Sequence, residues 1–283
     1  MAQDISKTDN TSSIGTLLLD SGKISTKDLE HIIVLQKQRG LRFGDAAKVL
    51  GLVNDEDILK ALSYQFDYPY LAASEENFSL ELVAAYQPFS KQVEALRAVR
   101  GQLMFRWLNT HKTLSLVSPA RFEGRSSLAA NLAIVFSQLG ERTLLIDADL
   151  RQPRQHELFN LKSDYGLSDM MAGRADPQVV KKIPAFRDLS VLSAGTVPPN
   201  PVELLSRGLR NCLQQLETQY DVILIDTPAA EQGIDAQIIS TICGGALLVA
   251  SQDKTRLNAV QNLKTTLQET GCQCLGAVIS NFA

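Results

Sequence analysis

Short runs of apolar residues recur through the second half of the chain, and segments with helical spacing separate them. Residues 113–117 form a short β-like run, and residues 143–146 form a second one. The apolar positions between these two runs recur every three or four residues: Leu128, Leu132, Val135, Phe136 and Leu139. Continuous apolar runs are typical of strands buried on both faces, and the spacing between them is typical of helices. The pattern predicts an α/β domain with a doubly wound, mostly parallel sheet.

A different pattern occupies the N-terminal part of the chain, where residues 13–36 and 42–65 repeat one another. Glycine, apolar and glutamine residues recur at matching positions: Gly15 with Gly44, Gly22 with Gly51, Leu29 with Ile58, Ile33 with Leu62 and Gln36 with Gln65. In each copy an apolar run ends at a glycine, and a polar residue then opens a second helix, as a C-cap followed by an N-cap does. Repetition at a fixed period indicates duplicated supersecondary units. We therefore predict a small helical repeat domain over residues 1–70, ahead of the α/β domain.

Residues 71–92 lack a clean period and contain Pro88, so we interpret them as a linker. Helical spacing returns from residue 93, where the apolar positions form one stripe: Leu96, Val99, Leu103 and Trp107. We assign residues 93–283 to the α/β domain.

The composition is that of a folded, globular protein. Of the 283 residues, 45% are hydrophobic and 21% are charged, which excludes a disordered chain. No apolar run approaches the roughly 18 residues of a membrane-spanning helix, and the polar N-terminal residues lack the core of a secretion signal. We therefore expect a cytoplasmic protein with reduced cysteines. The net charge of −3 argues against nucleic acid as a partner.

A candidate phosphate-binding loop joins the first apolar run to the helix that follows it. This segment, residues 118–127, has the sequence SPARFEGRSS. In a strand-loop-helix unit, loop amides and the helix N-terminus face an anion together. The loop departs from the strict P-loop pattern at Pro119, at Phe122 and at Arg125, which stands in the lysine position. Arg125 keeps the positive charge, and its guanidinium can bind phosphate oxygens through two donors.

Acidic residues follow two of the predicted strands. Asp147 and Asp149 lie in the segment LLIDADLR, and Asp226 lies in YDVILIDTP. A single aspartate at a strand end usually caps a turn. Three of them in one α/β domain favour a ligand site, because ligands of open parallel sheets bind beyond the carboxyl ends of the strands.

The order and spacing of these segments resemble the bacterial tyrosine kinases over residues 84–283, and most closely the cytoplasmic kinases paired with exopolysaccharide chain-length determinants. The resemblance implies ATP and Mg²⁺ as cofactors. The residues implied for binding the nucleotide are Glu123, Gly124, Arg125, Ser126 and Ser127. Those implied for the metal are Ser126, Asp147 and Asp226, and those implied for catalysis are Arg125, Asp147 and Asp149.

The same family implies an assembly and a partner. Glu94, Arg97 and Arg100 have the spacing of its subunit-contact motif, so we expect a homo-oligomeric ring. A solvated helix face is the alternative explanation of these charges. A separate transmembrane polysaccharide copolymerase would be the activator, and it would recruit the chain to the inner face of the cell membrane.

The N-terminal repeat is similar to the N-terminal domain of type II secretion and pilus-assembly ATPases, whose paired motifs bind cyclic di-GMP. The residues carried over as candidates for this ligand are Gly15, Gln36, Arg42, Gly44 and Gln65. Arginine can stack on guanine or hydrogen-bond to it, and glycine allows close approach of the backbone. The first copy has Ser13 where the family has arginine, which predicts a larger contribution from the second copy. The alternative is a pair of helical hairpins that docks a partner.

Three functions are compatible with these patterns. The first is an ATP-dependent protein tyrosine kinase, or a kinase-like ATPase, that regulates exopolysaccharide polymerisation and export. The second is a scaffold controlled by nucleotide or cyclic di-GMP, with little catalysis. The third is a partition or cell-positioning ATPase, which is disfavoured because SPARFEGRSS contains no lysine. Members of the kinase family usually end in a tyrosine-rich tail, whereas the tyrosines here all precede residue 221: Tyr64, Tyr68, Tyr70, Tyr86, Tyr165 and Tyr220.

Overall fold

The computed structural model describes residues 13–65, 71, 78–162 and 164–280, with the side chains of residues 64 and 65 excepted. The chain divides into two compact units, residues 1–70 and residues 71–283. No helix in these described ranges is both long and apolar enough to span a membrane.

The first unit is helical, as the repeat predicts. Its helices are α1 (Ile14–Asp20), α2 (Thr26–Arg39), α3 (Phe43–Val49) and α4 (Asp55–Gln65). Ser25 caps α2 in a reciprocal capping box with Asp28, and Gly40 ends the same helix with a φ of +62°, in the left-handed region that glycine tolerates best. The buried core of this unit is small: Leu18, Ile24, Ile32, Ala46, Ala47, Val53 and Ala61.

The second unit alternates strands and helices. Its helices are α5 (Val83–Tyr86), α6 (Lys91–Leu103), α7 (Arg125–Ser137), α8 (Gln155–Leu158), α9 (Leu167–Met171), α10 (Pro201–Leu216), α11 (Asp235–Cys243) and α12 (Leu257–Glu269). Its strands are β1 (Thr113–Val117), β2 (Thr143–Asp147), β3 (Lys181–Lys182), β4 (Leu189–Leu192), β5 (Val222–Asp226), β6 (Gly245–Ser251) and β7 (Gln273–Ser280). A π-helical turn, Met104–Leu108, continues α6, and 3₁₀ turns cover Pro177–Val179 and Ala230–Gln232.

Within the described residues the strands form one sheet in the order β3-β4-β2-β5-β1-β6-β7. All its neighbouring pairs are parallel except β3 with β4. Every residue of β1, β2 and β5 is buried, which explains why these strands are mainly apolar in the sequence. The fold confirms the prediction of a doubly wound, mostly parallel α/β domain.

The segment that we interpreted as a linker packs on the second unit where the structure describes it. Leu82, Ala84 and Ala85 are fully buried, and α5 begins within this stretch. The backbone N–H of Ala84 donates to Oδ1 of Asn131, 2.8 Å away on α7. Residue 71 and residues 78–92 are therefore part of the α/β unit. The helix α5 in this stretch has only four residues, and its contacts run to α7, which is distant in the sequence, so the sequence shows no period there.

Candidate active site

The candidate phosphate loop leaves β1 and enters α7, as the sequence predicts. Gly124 precedes α7 with a φ of +79°. Phe122 has a φ of +58°, a left-handed conformation that is uncommon for a bulky residue, and its side chain is 80% exposed. The carboxylate of Glu123 fastens the loop, since it accepts from the N–H of Ala120 at 2.9 Å and from Oγ1 of Thr255 at 2.5 Å. The loop thus keeps its turn without glycine at position 122.

Arg125 points into the acidic cluster that the sequence predicted. Its Nε donates to Oδ1 of Asp226 at 3.0 Å, and its Nη2 lies 3.5 Å from Oδ2 of Asp149. Its Nη1 donates to Oγ of Ser118 at 2.8 Å. The whole residue is only 8% exposed. The guanidinium therefore neutralises two of the three carboxylates.

The carboxylates come together because β2 and β5 are neighbours in the sheet. Asp147 and Asp226 are register partners at the carboxyl ends of these strands, and both are fully buried. Oδ2 of Asp147 accepts from the backbone N–H groups of Arg154 and Gln155, each at 2.8 Å. Burial, reinforced by the charge of Asp226, raises the pKa of Asp147 well above its usual value. Burial also raises the pKa of Asp149, against the opposing effects of its hydrogen bond from Gln152 and of Arg125.

Gln155 joins this cluster, although the sequence analysis did not single it out. Its Nε2 donates to Oδ2 of Asp226 at 2.8 Å and to the backbone O of Ser126 at 3.1 Å. Its Oε1 is buried and has no hydrogen-bond partner among the residues that the structure describes. A buried hydrogen-bond acceptor without a partner is costly in a folded protein. An oxygen of this kind can serve as a ligand to a bound cation.

An open cavity of about 450 Å³ lies in front of the cluster. Among the residues that line it are Gly124, Arg125, Ser126, Asp149 and Arg154. Asp147 and Asp226 lie buried behind these residues. Glu123 also lines the cavity, although its carboxylate accepts a hydrogen bond from the loop backbone at Ala120. Oγ of Ser127 donates to the carboxylate of Glu81.

The oxygen atoms of this cluster are of the type that Mg²⁺ prefers. Ser126 supplies a hydroxyl, Asp147, Asp149 and Asp226 supply carboxylates, and Gln155 supplies the unpartnered buried Oε1. The residues therefore fit this ion chemically. As the side chains stand, no three carboxylate, thiol or imidazole groups of the described ranges form a metal-binding cluster, and the Arg125 guanidinium bonds to the carboxylates instead.

The three residues expected at a subunit contact lie on α6 and bond within their own chain. Arg97 pairs with Glu94 at 2.9 Å and also donates to the backbone O of Pro88 at 2.6 Å. Arg100 donates to the backbone O of Val135 at 2.8 Å. The ring stays a prediction.

The residues expected to bind cyclic di-GMP differ in how far they are buried in the helical unit. A Cβ on buried Gly15 would lie 3.1 Å from the ring of Phe43, and one on Gly44 would lie 3.2 Å from Cδ1 of Ile58. Both glycines thus have a packing reason that needs no ligand. Arg42 is exposed at the start of α3 and Gln36 is half-buried, whereas the side chain of Gln65 lies outside the description. Cyclic di-GMP binding stays a prediction.

Comparisons with known proteins bear on the α/β unit. Residues 116–283 match the family described as "ParA: NUBPL iron-transfer P-loop NTPase". The tyrosine-protein kinase YwqD of Bacillus subtilis is 33% identical over 201 residues, which cover 70% of this chain and 85% of that protein. The putative tyrosine-protein kinase CapB of Staphylococcus aureus is 35% identical over 198 residues, covering 69% and 87%.

Solved structures give the same similarity. The kinase domain of the Escherichia coli tyrosine kinase ETK has a TM-score of 0.68 and 30% identity, covering 75% of this chain and 89% of that domain. The chimerical protein CapA2B2 has a TM-score of 0.67 and 32% identity, covering 78% and 97%. The septum site-determining protein MinD of Pyrococcus horikoshii, solved with Mg-ADP, is 23% identical with a TM-score of 0.53 over 61% of this chain and 73% of that one, and it shares the fold.

Proposed function

This chain belongs to the family of bacterial tyrosine-protein kinases built on a P-loop NTPase fold, and we propose on that basis that it is an ATP-dependent protein tyrosine kinase or kinase-like ATPase. We further propose that it regulates exopolysaccharide polymerisation and export. This second part rests on the resemblance to the cytoplasmic kinases paired with chain-length determinants. A transmembrane polysaccharide copolymerase would then hold the chain at the inner face of the cell membrane and activate it.

One observation carries the catalytic proposal. The carboxylates at the ends of β2 and β5 are register partners, and Asp149, just beyond β2, lines one open cavity together with the loop that precedes α7. Amides at the start of a helix bind phosphate groups, and carboxylates beside them can hold a metal ion and orient a hydroxyl nucleophile. The loop amides and the carboxylates that phosphoryl transfer requires thus lie close together.

Each residue has a role in this proposal. Gly124 and Ser126 bind the β- and γ-phosphates with the loop amides, and Arg125 offsets their charge. Ser126, Asp147 and Asp226 hold Mg²⁺, which neutralises charge on the phosphates when bound. Asp149 lines the open side of the cluster, so it orients the acceptor tyrosine hydroxyl and accepts its proton.

The test measures two products separately. The purified full chain is incubated with ATP, Mg²⁺ and a random glutamate-tyrosine copolymer as acceptor, and phosphate release and phosphotyrosine are both followed. We expect both products, and we expect Asp149→Asn to lower phosphotyrosine formation about a hundredfold. Asp164→Asn, an exposed aspartate outside the cavity lining, is the matched control. Phosphate release without phosphotyrosine would reduce the enzyme to an ATPase.

The position of Arg125 favours one alternative, a nucleotide-controlled scaffold with little catalysis. Its guanidinium already bonds to Asp226 of the proposed metal site and to Asp149, the proposed base. A protein that uses this arrangement to bind nucleotide without turnover would show ATP affinity but neither product. The same experiment, combined with calorimetry of ATP binding, therefore separates the two functions.

A further inference from the structure

Glu81 ties the segment before α6 to the candidate active site. Its carboxylate accepts a hydrogen bond from Oγ of Ser127 through Oε2 and pairs with Nη2 of Arg154 through Oε1. Its backbone O accepts from Nδ2 of Asn131 at 2.8 Å. Residues 78–86, which we call the connector segment, are thus fastened to α7 and to the loop after β2.

Arg154 is placed to act on a ligand of the cavity. It lines the cavity together with Gly124 and Ser126, and its side chain is 44% exposed. Its backbone is fixed, because its N–H donates to the buried carboxylate of Asp147 at 2.8 Å. The side chain can therefore change partner while its base stays in place.

The other arginines near the cluster are held more firmly. Arg125 is buried and bonds to Asp226 and Asp149. Arg151 bonds to Asp235, a carboxylate that is 1% exposed. Arg154 is paired with the carboxylate of Glu81, which is 31% exposed. Ion pairs near solvent contribute little net stability, so the pair between Arg154 and Glu81 is the easiest of these to exchange.

We propose that Arg154 binds a phosphate group of the nucleotide and that Glu81 is the positioning residue that competes for it. This inference rests on the proposed nucleotide-binding function. A phosphate group carries more charge than a carboxylate and offers several acceptor oxygens to a guanidinium. Nucleotide binding then breaks the Glu81 pair and loosens the connector segment, and release of that segment raises nucleotide affinity in return, as linkage requires.

The first test measures affinity for Mg·ADP by calorimetry on the full chain. Arg154→Ala lowers the affinity about tenfold, and Arg154→Lys restores part of it, since the charge remains. Glu81→Gln raises the affinity about threefold to tenfold, because glutamine keeps the Ser127 hydrogen bond but loses the ion pair. In the Arg154→Ala background, Glu81→Gln has no effect, which isolates the coupling between the two residues. Glu157→Gln removes an equal charge at the cavity lining and is the matched control for long-range electrostatics, with a smaller effect than Glu81→Gln.

The second test is hydrogen exchange of residues 78–86. Mg·ADP increases exchange there in the wild-type chain but not in Arg154→Ala, a difference that a purely structural role of Arg154 would not produce. Unchanged ADP affinity in Arg154→Ala, or stronger protection of residues 78–86 with ADP, overturns the inference while leaving the proposed function intact. A wild-type chain that binds no nucleotide overturns the proposed function itself.

Discussion

Arg125 shows how one side chain can serve the folded protein and the site together. Three aspartates in a buried cluster repel one another, and the guanidinium meets two of them with separate nitrogen atoms. Lysine carries one ammonium and could not make three bonds of this geometry. The arginine at this loop position therefore stabilises the acidic cluster when the site holds no other cation.

We expect Arg125→Ala to lower the free energy of unfolding by about 3 kcal/mol, because it leaves buried carboxylates without their cation. We also expect millimolar Mg²⁺ to recover part of this loss, since the ion would bind the carboxylate oxygens that have lost Arg125. Urea unfolding with Mg²⁺ and with a chelator measures both effects.

The matched control for Arg125→Ala is Arg142→Ala, which breaks an arginine-aspartate pair with Asp221 near the surface. Its cost should be much smaller than that of Arg125→Ala, with no dependence on Mg²⁺. Equal costs for the two variants would show that Arg125 does not neutralise the cluster.

At the scale of elements, residues 194–205, with the sequence AGTVPPNPVELL, follow β4, lead into α10 and contact the start of α9. Asn200 caps α10, and Pro201 occupies its first turn. Asp169, fully buried at the start of α9, accepts from the N–H groups of Gly166 and Thr196, each at 3.0 Å. These residues therefore connect the loop after β4 to the start of α9, a helix that precedes β4 in the chain.

Asp169 also makes the stability of this region depend on pH. Burial acts to raise its pKa, but the N–H groups of Thr196 and Gly166 and the Arg174 guanidinium hold that pKa below its usual value. A lowered pKa means that the folded state stabilises the ionised form of Asp169. Its contribution to stability is therefore complete above the unfolded-state pKa of about 3.9, and it is lost as the pH falls through the lower folded-state pKa.

We expect Asp169→Asn to lower the free energy of unfolding by about 2 kcal/mol at pH 7, through loss of charge-assisted hydrogen bonds. The difference from wild type should shrink as the pH falls below about 4, because the Asp169 carboxyl of the unfolded chain is protonated there and that of the folded chain follows at lower pH. Urea titrations between pH 3 and pH 7 give the profile, with Asp164→Asn as the exposed control. A difference that does not change with pH would contradict the role of the charge.

At the scale of the whole molecule, two units with separate cores share one chain. We propose that the helical unit binds cyclic di-GMP, as its sequence resemblance implies. Arg42 is the candidate that the structure leaves exposed at the start of α3, where its side chain makes no capping hydrogen bond within the described residues. Ser13, at the matching position of the first copy, caps α1 instead.

We expect the full chain to bind cyclic di-GMP, and Arg42→Ala to weaken this binding about tenfold or more by removing a charge-assisted contact. Ser13→Arg should strengthen it, although the lost cap costs about 1 kcal/mol of stability. Calorimetry is the measurement, and Lys37→Ala, which replaces an exposed lysine on α2, is the control. No heat at high micromolar ligand would leave the docking-module interpretation of this unit.

The sequence by itself determined several strands of the sheet, the helices of the repeat and the three aspartates beside the loop. Strands of a parallel sheet that are buried on both faces are mainly apolar, so β1, β2 and β5 could be located from their letters. The repeat fixed four helices, because caps and glycine stops are local signals. Asp147, Asp149 and Asp226 could be singled out because each lies at or just beyond the end of such a strand.

Only the tertiary structure decided what those residues contact. Arg125 and Asp226 are 101 positions apart, and Glu81 and Ser127 are 46 apart. Contacts over such separations leave no period in a sequence, and for that reason the connector segment, Gln155 and the packing role of Gly15 were not predicted. The order of the strands brings Asp147 beside Asp226, and the folded chain then determines that a guanidinium lies against the acidic cluster.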